Sequence, residues 1–426
     1  MGVEIILLLL IFCVGYAAII FEHNIGIDKA AAAVITGVAM WTLMVFSEGI
    51  EVTHRFEHVI PEIAGILFFI IGAMTIVEII DLHNGFIVIT NFIKTDSKKK
   101  FLWIVAIISF LCGAILDNLT TAIVMVSLLR KIVDNKEERM LLAGIVVIAA
   151  NAGGSFSPIG NVTTTLLWVG GQITPLKVFL ANFIPGLICL VVPVFVLSFS
   201  FKGKMNIELK VERENLNIST KTSTFIFWYG VALLLFVPIF KTLTHLPPFM
   251  GMLFSLGIFW FTTDLLHKKS ETATKKELSV YRALENIDLP SVIFFFGILS
   301  AVAALQEAGI LRAMAQWMDT HIGNYDLITF IIGLLSAVVD NVPLVAATQG
   351  MYSIQQFAVD SHFWHFIAYC AGVGGSILVI GSAAGVAAMG IEKLNFIWYA
   401  KRIGWLAFLG YAAGAIYIVL MKNIIP

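Results

Sequence analysis

The chain has 426 residues, 59% of them hydrophobic and 13% charged, with a mean hydropathy of +0.93 and a formal net charge of −1. This composition excludes a soluble globular domain and offers no basic surface for nucleic acid. The four cysteines, Cys13, Cys112, Cys189 and Cys370, lie scattered in apolar runs, a spacing that fits neither a disulfide framework nor a zinc site.

A helix needs about 20 apolar residues to cross about 30 Å of hydrocarbon. Taken in order, the apolar runs predict membrane helices near 3–21, 28–46, 60–80, 140–168, 178–200, 223–240, 248–266, 289–308, 362–390 and 401–421. The first reads as a membrane helix and not a cleaved leader, because no Lys or Arg precedes Lys29 and the apolar run reaches Phe21. Residues 81–93 and 309–320 read as short amphipathic helices. Polar loops occupy 202–222 and 267–288.

Two further apolar stretches, 101–129 and about 327–348, carry the pairs Asp117-Asn118 and Asp340-Asn341. Lys94, Lys98, Lys99 and Lys100 precede the first, and Arg130, Lys131, Lys136 and Arg139 follow it. Cytoplasmic loops collect Lys and Arg, so both ends of this stretch belong on one side, which a re-entrant hairpin satisfies and a simple span does not. Asp319, Asp326 and Asp360 bound the second stretch, with Arg312 as the nearby base, so it reads as a hairpin from the outer side. With both treated as hairpins, the outer loops hold only Arg55, Lys177, Lys241, Arg312 and Lys422 of the 27 basic residues. Both termini then lie outside.

The expected fold is therefore an all-α polytopic membrane protein of about 10 transmembrane helices plus two re-entrant hairpins, in two inverted-topology repeats. The first repeat covers 1–201, a cytoplasmic connector covers 202–222, and the second repeat covers 223–426. Three matches support the division: Phe68-Phe69-Ile70-Ile71-Gly72 with Phe294-Phe295-Phe296-Gly297, Asp117-Asn118 with Asp340-Asn341, and Gly153-Gly154-Ser155 with Gly374-Gly375-Ser376. An odd number of spans per half makes the second half inverted, the arrangement in which secondary transporters bind substrate between repeats.

A carboxylate in mid-membrane is costly unless it meets a partner, an ion or water, which makes Asp117 and Asp340 the first candidates for holding a cation or proton. Each could instead simply cap the helix that follows it, and capping is compatible with ion binding. Asn118 and Asn341 add amide oxygens and Thr120 a hydroxyl. Pro343 suits the first turn of an outgoing helix. The stretch from Asn151 to Thr165 contains Gly153, Gly154, Pro158 and Gly160, enough to break a helix. Its freed carbonyls, with Ser155, Ser157, Asn161, Thr163 and Thr164, are hard oxygen donors suited to an alkali cation. The partner stretch runs from Gly372 through Ser376 to Gly381 and Ser382. Glycines alone would fit close helix packing equally well; Pro158 and the polar side chains favour a break. Glu78, Asp81, His83, Glu307, His245, His362 and His365 read as interfacial groups at the ends of spans. No HExxH, phosphate loop or Ser/His/Asp spacing occurs, so the chain is not read as an enzyme and no resident cofactor is expected.

The chain resembles the NhaD-type sodium/proton antiporter family, within the ion transporter superfamily. The resemblance is sharpest at Gly72-Ala73-Met74-Thr75-Ile76-Val77-Glu78, Leu116-Asp117-Asn118-Leu119-Thr120-Thr121, Asn151 to Gly160, and Asp340-Asn341-Val342-Pro343-Leu344-Val345-Ala346. It implies exchange of cytoplasmic Na+ or Li+ for protons, a homodimer of scaffold and transport domains with an elevator-like motion, and residence in a bacterial inner membrane. Asp117, Asn118, Thr120, Asn151, Thr163, Thr164, Ser336, Asp340 and Asn341 fall on positions of the family motifs. Where the family pattern has Asp after Ser157-Pro158-Ile159-Gly160, this chain has Asn161. The alternative is a dicarboxylate or arsenite-like carrier on the same scaffold; the paired acidic residues and the lack of a mid-span Lys or Arg speak against it.

Overall fold

In hydrocarbon every backbone N–H and C=O must be satisfied within the chain, so long apolar runs become helices. The computed structural model describes residues 2–90, 95, 97–204, 218–268 and 276–422, and its regular elements are helical. Lys94 and connector residues 205–217 lie outside the described residues.

The first half contains α1 (Gly2–Ile20), α2 (Lys29–Glu48), α3 (Glu51–Leu82), α4 (Lys98–Ile115), α5 (Asn118–Ile132), α6 (Lys136–Gly154), α7 (Val162–Val169) and α8 (Pro175–Ser198). The second contains α9 (Thr220–Thr244), α10 (Pro248–Leu266), α11 (Leu289–Glu307), α12 (Ile310–His321), α13 (Tyr325–Leu335), α14 (Asn341–Met351), α15 (His362–Gly374), α16 (Ala383–Glu392) and α17 (Trp405–Met421). Among the described residues, eight helices are long and apolar enough to cross a membrane: α1, α2, α3, α8, α9, α10, α11 and the stretch Phe396–Met421 that ends in α17. A π-helical turn, Ala400–Gly404, leads into α17.

Two elements depart from expectation. Helix α3 starts at Glu51 instead of 60 and has 32 residues, which at 1.5 Å per residue is about 48 Å, well beyond the hydrocarbon thickness. Within 81–93, Asp81 and Leu82 still belong to α3 and Ile87–Thr90 forms a single helical turn, with Phe86, Val88 and Ile89 buried under α9 instead of lying on an interface. Residues 362–390 hold two helices, α15 and α16, and residues 140–168 fall within α6 and α7; both pairs are separated by irregular backbone.

Packing gathers the helices into two groups. In one, α2 lies along α11, α1 along α2, and α10 against both α3 and α9. In the other, α4 packs on α6, α13 on α15, α8 on α17, and α5 on α16. Glycine permits the closest crossings. A Cβ at Gly153 would stand 2.0 Å from the Phe110 carbonyl oxygen, and one at Gly374 would stand 1.9 Å from that of Gly333. The crossing of α4 on α6 is thus repeated by α13 on α15, with backbone against backbone.

Candidate ion site at two turns and two breaks

Four helices restart in the interior, and each restart is capped by a polar side chain. Asp117 heads α5 and accepts from the Thr120 N–H at 2.8 Å and the Thr120 hydroxyl at 3.0 Å. Asn161 heads α7 and accepts from the Thr163 N–H at 3.3 Å. Asp340 heads α14 and accepts from the Val342 N–H at 3.0 Å. Ser382 heads α16 and accepts from the Gly385 N–H at 3.3 Å. Each cap satisfies a first-turn donor that has no partner within its own helix. Pro343 occupies the first turn of α14, as its missing N–H allows.

The two acidic turns differ in backbone. Asp117 has φ 76° and ψ 162°, a region that a residue with a Cβ rarely enters. Asp340, at φ −48° and ψ 137°, is unstrained. Lys29, at the head of α2, stands within electrostatic reach of Asp340 with its ammonium 4.9 Å from the centre of the Phe294 ring. The apolar runs left this cation out of account, because it enters from the end of a helix and not from within one.

Around the turns the amides and hydroxyls form a buried network. The Asn118 amide donates to Asn151 Oδ1 at 2.8 Å. The Asn151 amide donates in turn to Ser376 Oγ and Ser382 Oγ, each at 2.9 Å. One side chain on α6 therefore ties the first residue of α5 to the break between α15 and α16. Asn118, Asn151, Ser376 and Ser382 are all buried.

Other expected residues serve the backbone. The Thr164 hydroxyl donates toward the carbonyls of Gly154, Ser157 and Asn161 at 3.1, 2.7 and 2.8 Å, which closes the first break on itself. The Ser155 hydroxyl donates to the Ala152 carbonyl, and that of Ser336 to the Ala371 carbonyl. Ser157 Oγ accepts from the Ile159 N–H at 3.4 Å. Thr163 Oγ1, Asn161 Nδ2 and Asn341 Nδ2 are buried with no hydrogen-bond partner.

Several participants were not singled out beforehand. Asn182 on α8 donates to the Ser155 carbonyl at 3.1 Å and the His365 carbonyl at 2.9 Å, pinning the first break to α15. Arg139 on α6 reaches the buried Glu392 at the end of α16, 2.7 Å away. Both link partners hundreds of residues apart, so no local spacing announces them. Two groups read as interfacial are instead buried. His365 is 4% exposed and faces Asp360 at 3.4 Å. His83, fully buried, faces His267 with 2.9 Å between their Nε2 atoms. His362 pairs with Asp326 at 3.0 Å, and Glu78 accepts from the Asn286 amide at 2.8 Å.

Residues 16–365 match the family model CitMHS, described as Citrate transporter. Sodium/proton antiporter 1 of Arabidopsis thaliana is 45% identical over 97% of this chain and 72% of its own length. Sodium/proton antiporter 2 of the same plant is 42% identical over 97% of this chain and 99% of its own. The Na(+)/H(+) antiporter NhaD of Vibrio cholerae is 28% identical over 97% of this chain and 91% of its own.

Proposed function

The chain belongs to the CitMHS family and, with the relatives just described, to the NhaD-type sodium/proton antiporters, and on that footing we propose that it exchanges Na+, or Li+, for protons by alternating access. The relatives come from a plant and from bacteria, so the similarity names an integral membrane protein and no particular membrane. The observation that carries the reading is the set of four polar caps, Asp117, Asn161, Asp340 and Ser382, at interior helix restarts. Two carboxylates at such ends are poor hosts for an anion and good ones for a small cation.

Exchange follows from competition. A cation and a proton cannot both neutralise one shielded carboxylate, so loading one releases the other. A bare carboxylate crosses the apolar interior badly, which keeps the empty carrier from short-circuiting the cycle. The inverted repeats, with hairpins near 101–129 and 327–348, give the site access to each side in turn. Three features support that topology: the flanking charges, the short turn joining α4 to α5, and the matching glycine crossings. The division into two helix groups supports a scaffold and a moving domain. Helix α1 has 11% of its apolar window buried, which leaves a face for lipid or for the second copy in a homodimer.

The test is Na+-driven pH change in proteoliposomes. Exchange should be present in the unaltered chain and abolished in Asp117→Asn with Asp340→Asn, which keep capping groups but remove charge. Undiminished exchange in that double variant would sink the mechanism. Uptake of a dicarboxylate without any response to Na+ would favour an anion carrier.

A further inference from the structure

At the end of the bundle that the flanking charges assign to the cytoplasm, a groove of about 420 Å³ lies between the start of α6, the end of α8 and the π-helical turn before α17. Its floor is apolar: Leu197, Phe201 and Leu406 are buried, and Leu141 and Val196 are half-buried. Its rim carries Lys401 and Arg402, both exposed, and the indole of Trp405, 49% exposed. An aromatic ring beside basic side chains over an apolar floor is the pattern of a membrane–water interface. A water-soluble ligand would leave that floor unfilled, whereas a phospholipid brings a charged head and an apolar tail together.

The charges select the headgroup. Glu138, on the α6 wall, is neutralised by Lys98, and Glu137 stands 3.6 Å from Arg402. Lys401 makes no ion pair among the described residues. More basic side chains close on the same end. The Lys98 N–H donates to the Gly203 carbonyl at 3.2 Å and Ser97 pairs with Lys204, which brings Lys98, Lys99 and Lys100 beside Lys202 and Lys204. The surplus is positive, and basic pockets between membrane helices on the cytoplasmic side favour anionic headgroups.

The groove also touches the second helix break. Lys401 and Arg402 belong to the π-helical turn Ala400–Gly404. Tyr399, just before the turn, donates its hydroxyl to the Ser376 carbonyl at 2.9 Å. A Cβ on Gly404, the last residue of the turn, would stand 2.7 Å from the Ile377 carbonyl oxygen. Both ends of the turn therefore rest on the break between α15 and α16, and single π-turns recur at functional sites.

We propose that an anionic phospholipid occupies this groove, its phosphate between Lys401 and Arg402 and its acyl chains over Leu141, Val196 and Leu406, and that it steadies the turn on which the second break rests. The effect on exchange rests on the antiporter reading; the binding does not.

Thermal unfolding of the purified full-length chain in detergent tests the binding. Phosphatidylglycerol should raise the midpoint above its value with phosphatidylcholine, and inorganic phosphate should leave it unmoved. Lys401→Gln with Arg402→Gln should weaken the apparent affinity for phosphatidylglycerol about tenfold or more. Val196→Phe, which fills the floor without altering a charge, should also weaken it. Lys268→Gln, an exposed position outside the groove, should leave it unchanged. In phosphatidylcholine vesicles given increasing phosphatidylglycerol, Na+-driven exchange should rise in the parent and in Lys268→Gln and stay flat in the double variant. The proposal is overturned if the parent shows no shift, if the double variant or Val196→Phe binds as the parent does, or if inorganic phosphate alone produces the shift. An equal loss in Lys268→Gln also overturns it, since that marks a general response to surface charge. Absence of exchange in every lipid overturns the antiporter reading, and the thermal shift still decides the lipid site.

Discussion

Asn118 and Asn151 meet through a single 2.8 Å amide hydrogen bond in the interior of the protein, and that bond joins the start of α5 to the buried last turn of α6. Because Asn151 also donates to Ser376 and Ser382, the contact is one link in a chain that crosses from the first half of the sequence to the second. Asn151→Ala would strand the Asn118 amide and deprive two hydroxyls of a donor. Each stranded buried group costs about 1–3 kcal/mol, so the thermal midpoint in detergent should fall clearly. Asn151→Asp, which keeps an acceptor for Asn118 but loses the donors to both serines, should fall between the two. A variant as stable as the parent would show that the network is not a clamp.

Arg139 and Glu392 should respond unequally to substitution. The Glu392 side chain is 1% exposed and that of Arg139 is 17% exposed. Arg139→Ala leaves the buried carboxylate with only the exposed Arg130 guanidinium 4.0 Å away, so the loss should approach the roughly 3–5 kcal/mol typical of a broken buried pair. Glu392→Gln leaves an arginine that still donates to the Val133 carbonyl at 2.9 Å and reaches water, so it should cost less. Thermal unfolding of the two single variants checks the order.

The α13–α15 crossing predicts a sharp glycine requirement. Gly374→Ala would press a methyl into the Gly333 carbonyl, an atom that cannot turn aside, whereas Gly257→Ala meets nothing within 4 Å. The first should lose about 1–3 kcal/mol or fail to assemble. The second should match the parent in yield and melting.

Acid should destabilise the protein through His83, which lies beyond the end of α3. Burial pushes its imidazole down to about 4, opposed by the hydrogen bond it donates to the Ile79 carbonyl and aided by the neighbouring His267. A base whose folded value lies below its unfolded value of about 6.5 binds more protons when unfolded, so stability is intact at neutral pH and falls as the pH drops from about 6.5 toward 4. The loss at pH 5 should be about 2 kcal/mol. His83→Gln should flatten that part of the profile in melts run between pH 7.5 and pH 5, and an unchanged slope would assign the acid response to other groups.

Much of this organisation is legible along the chain. Asp117, Asp340 and Pro343 stand out because a charge or a proline in an apolar run is expensive unless it ends or begins a helix, and they head α5 and α14. The first break is legible at Pro158 and its glycines for the same reason. The identity of the partners is not. Asn151 and Ser376 lie 225 positions apart, and His83 and His267 lie 184 apart. A serine that receives an amide from another helix looks locally the same as Ser336, whose hydroxyl binds a backbone carbonyl.

By itself the sequence determined the membrane setting, the order of helices, the two acidic turns and the two breaks. These depend on the cost of placing particular residues in hydrocarbon, which is paid position by position. Only the tertiary structure decided that the two halves are unequal. Asp117 is strained and Asp340 is not, and the Asn118 amide bonds to Asn151 while that of Asn341 has no partner among the described residues. Inequality of that kind depends on which distant side chains face one another, and helix packing alone sets that.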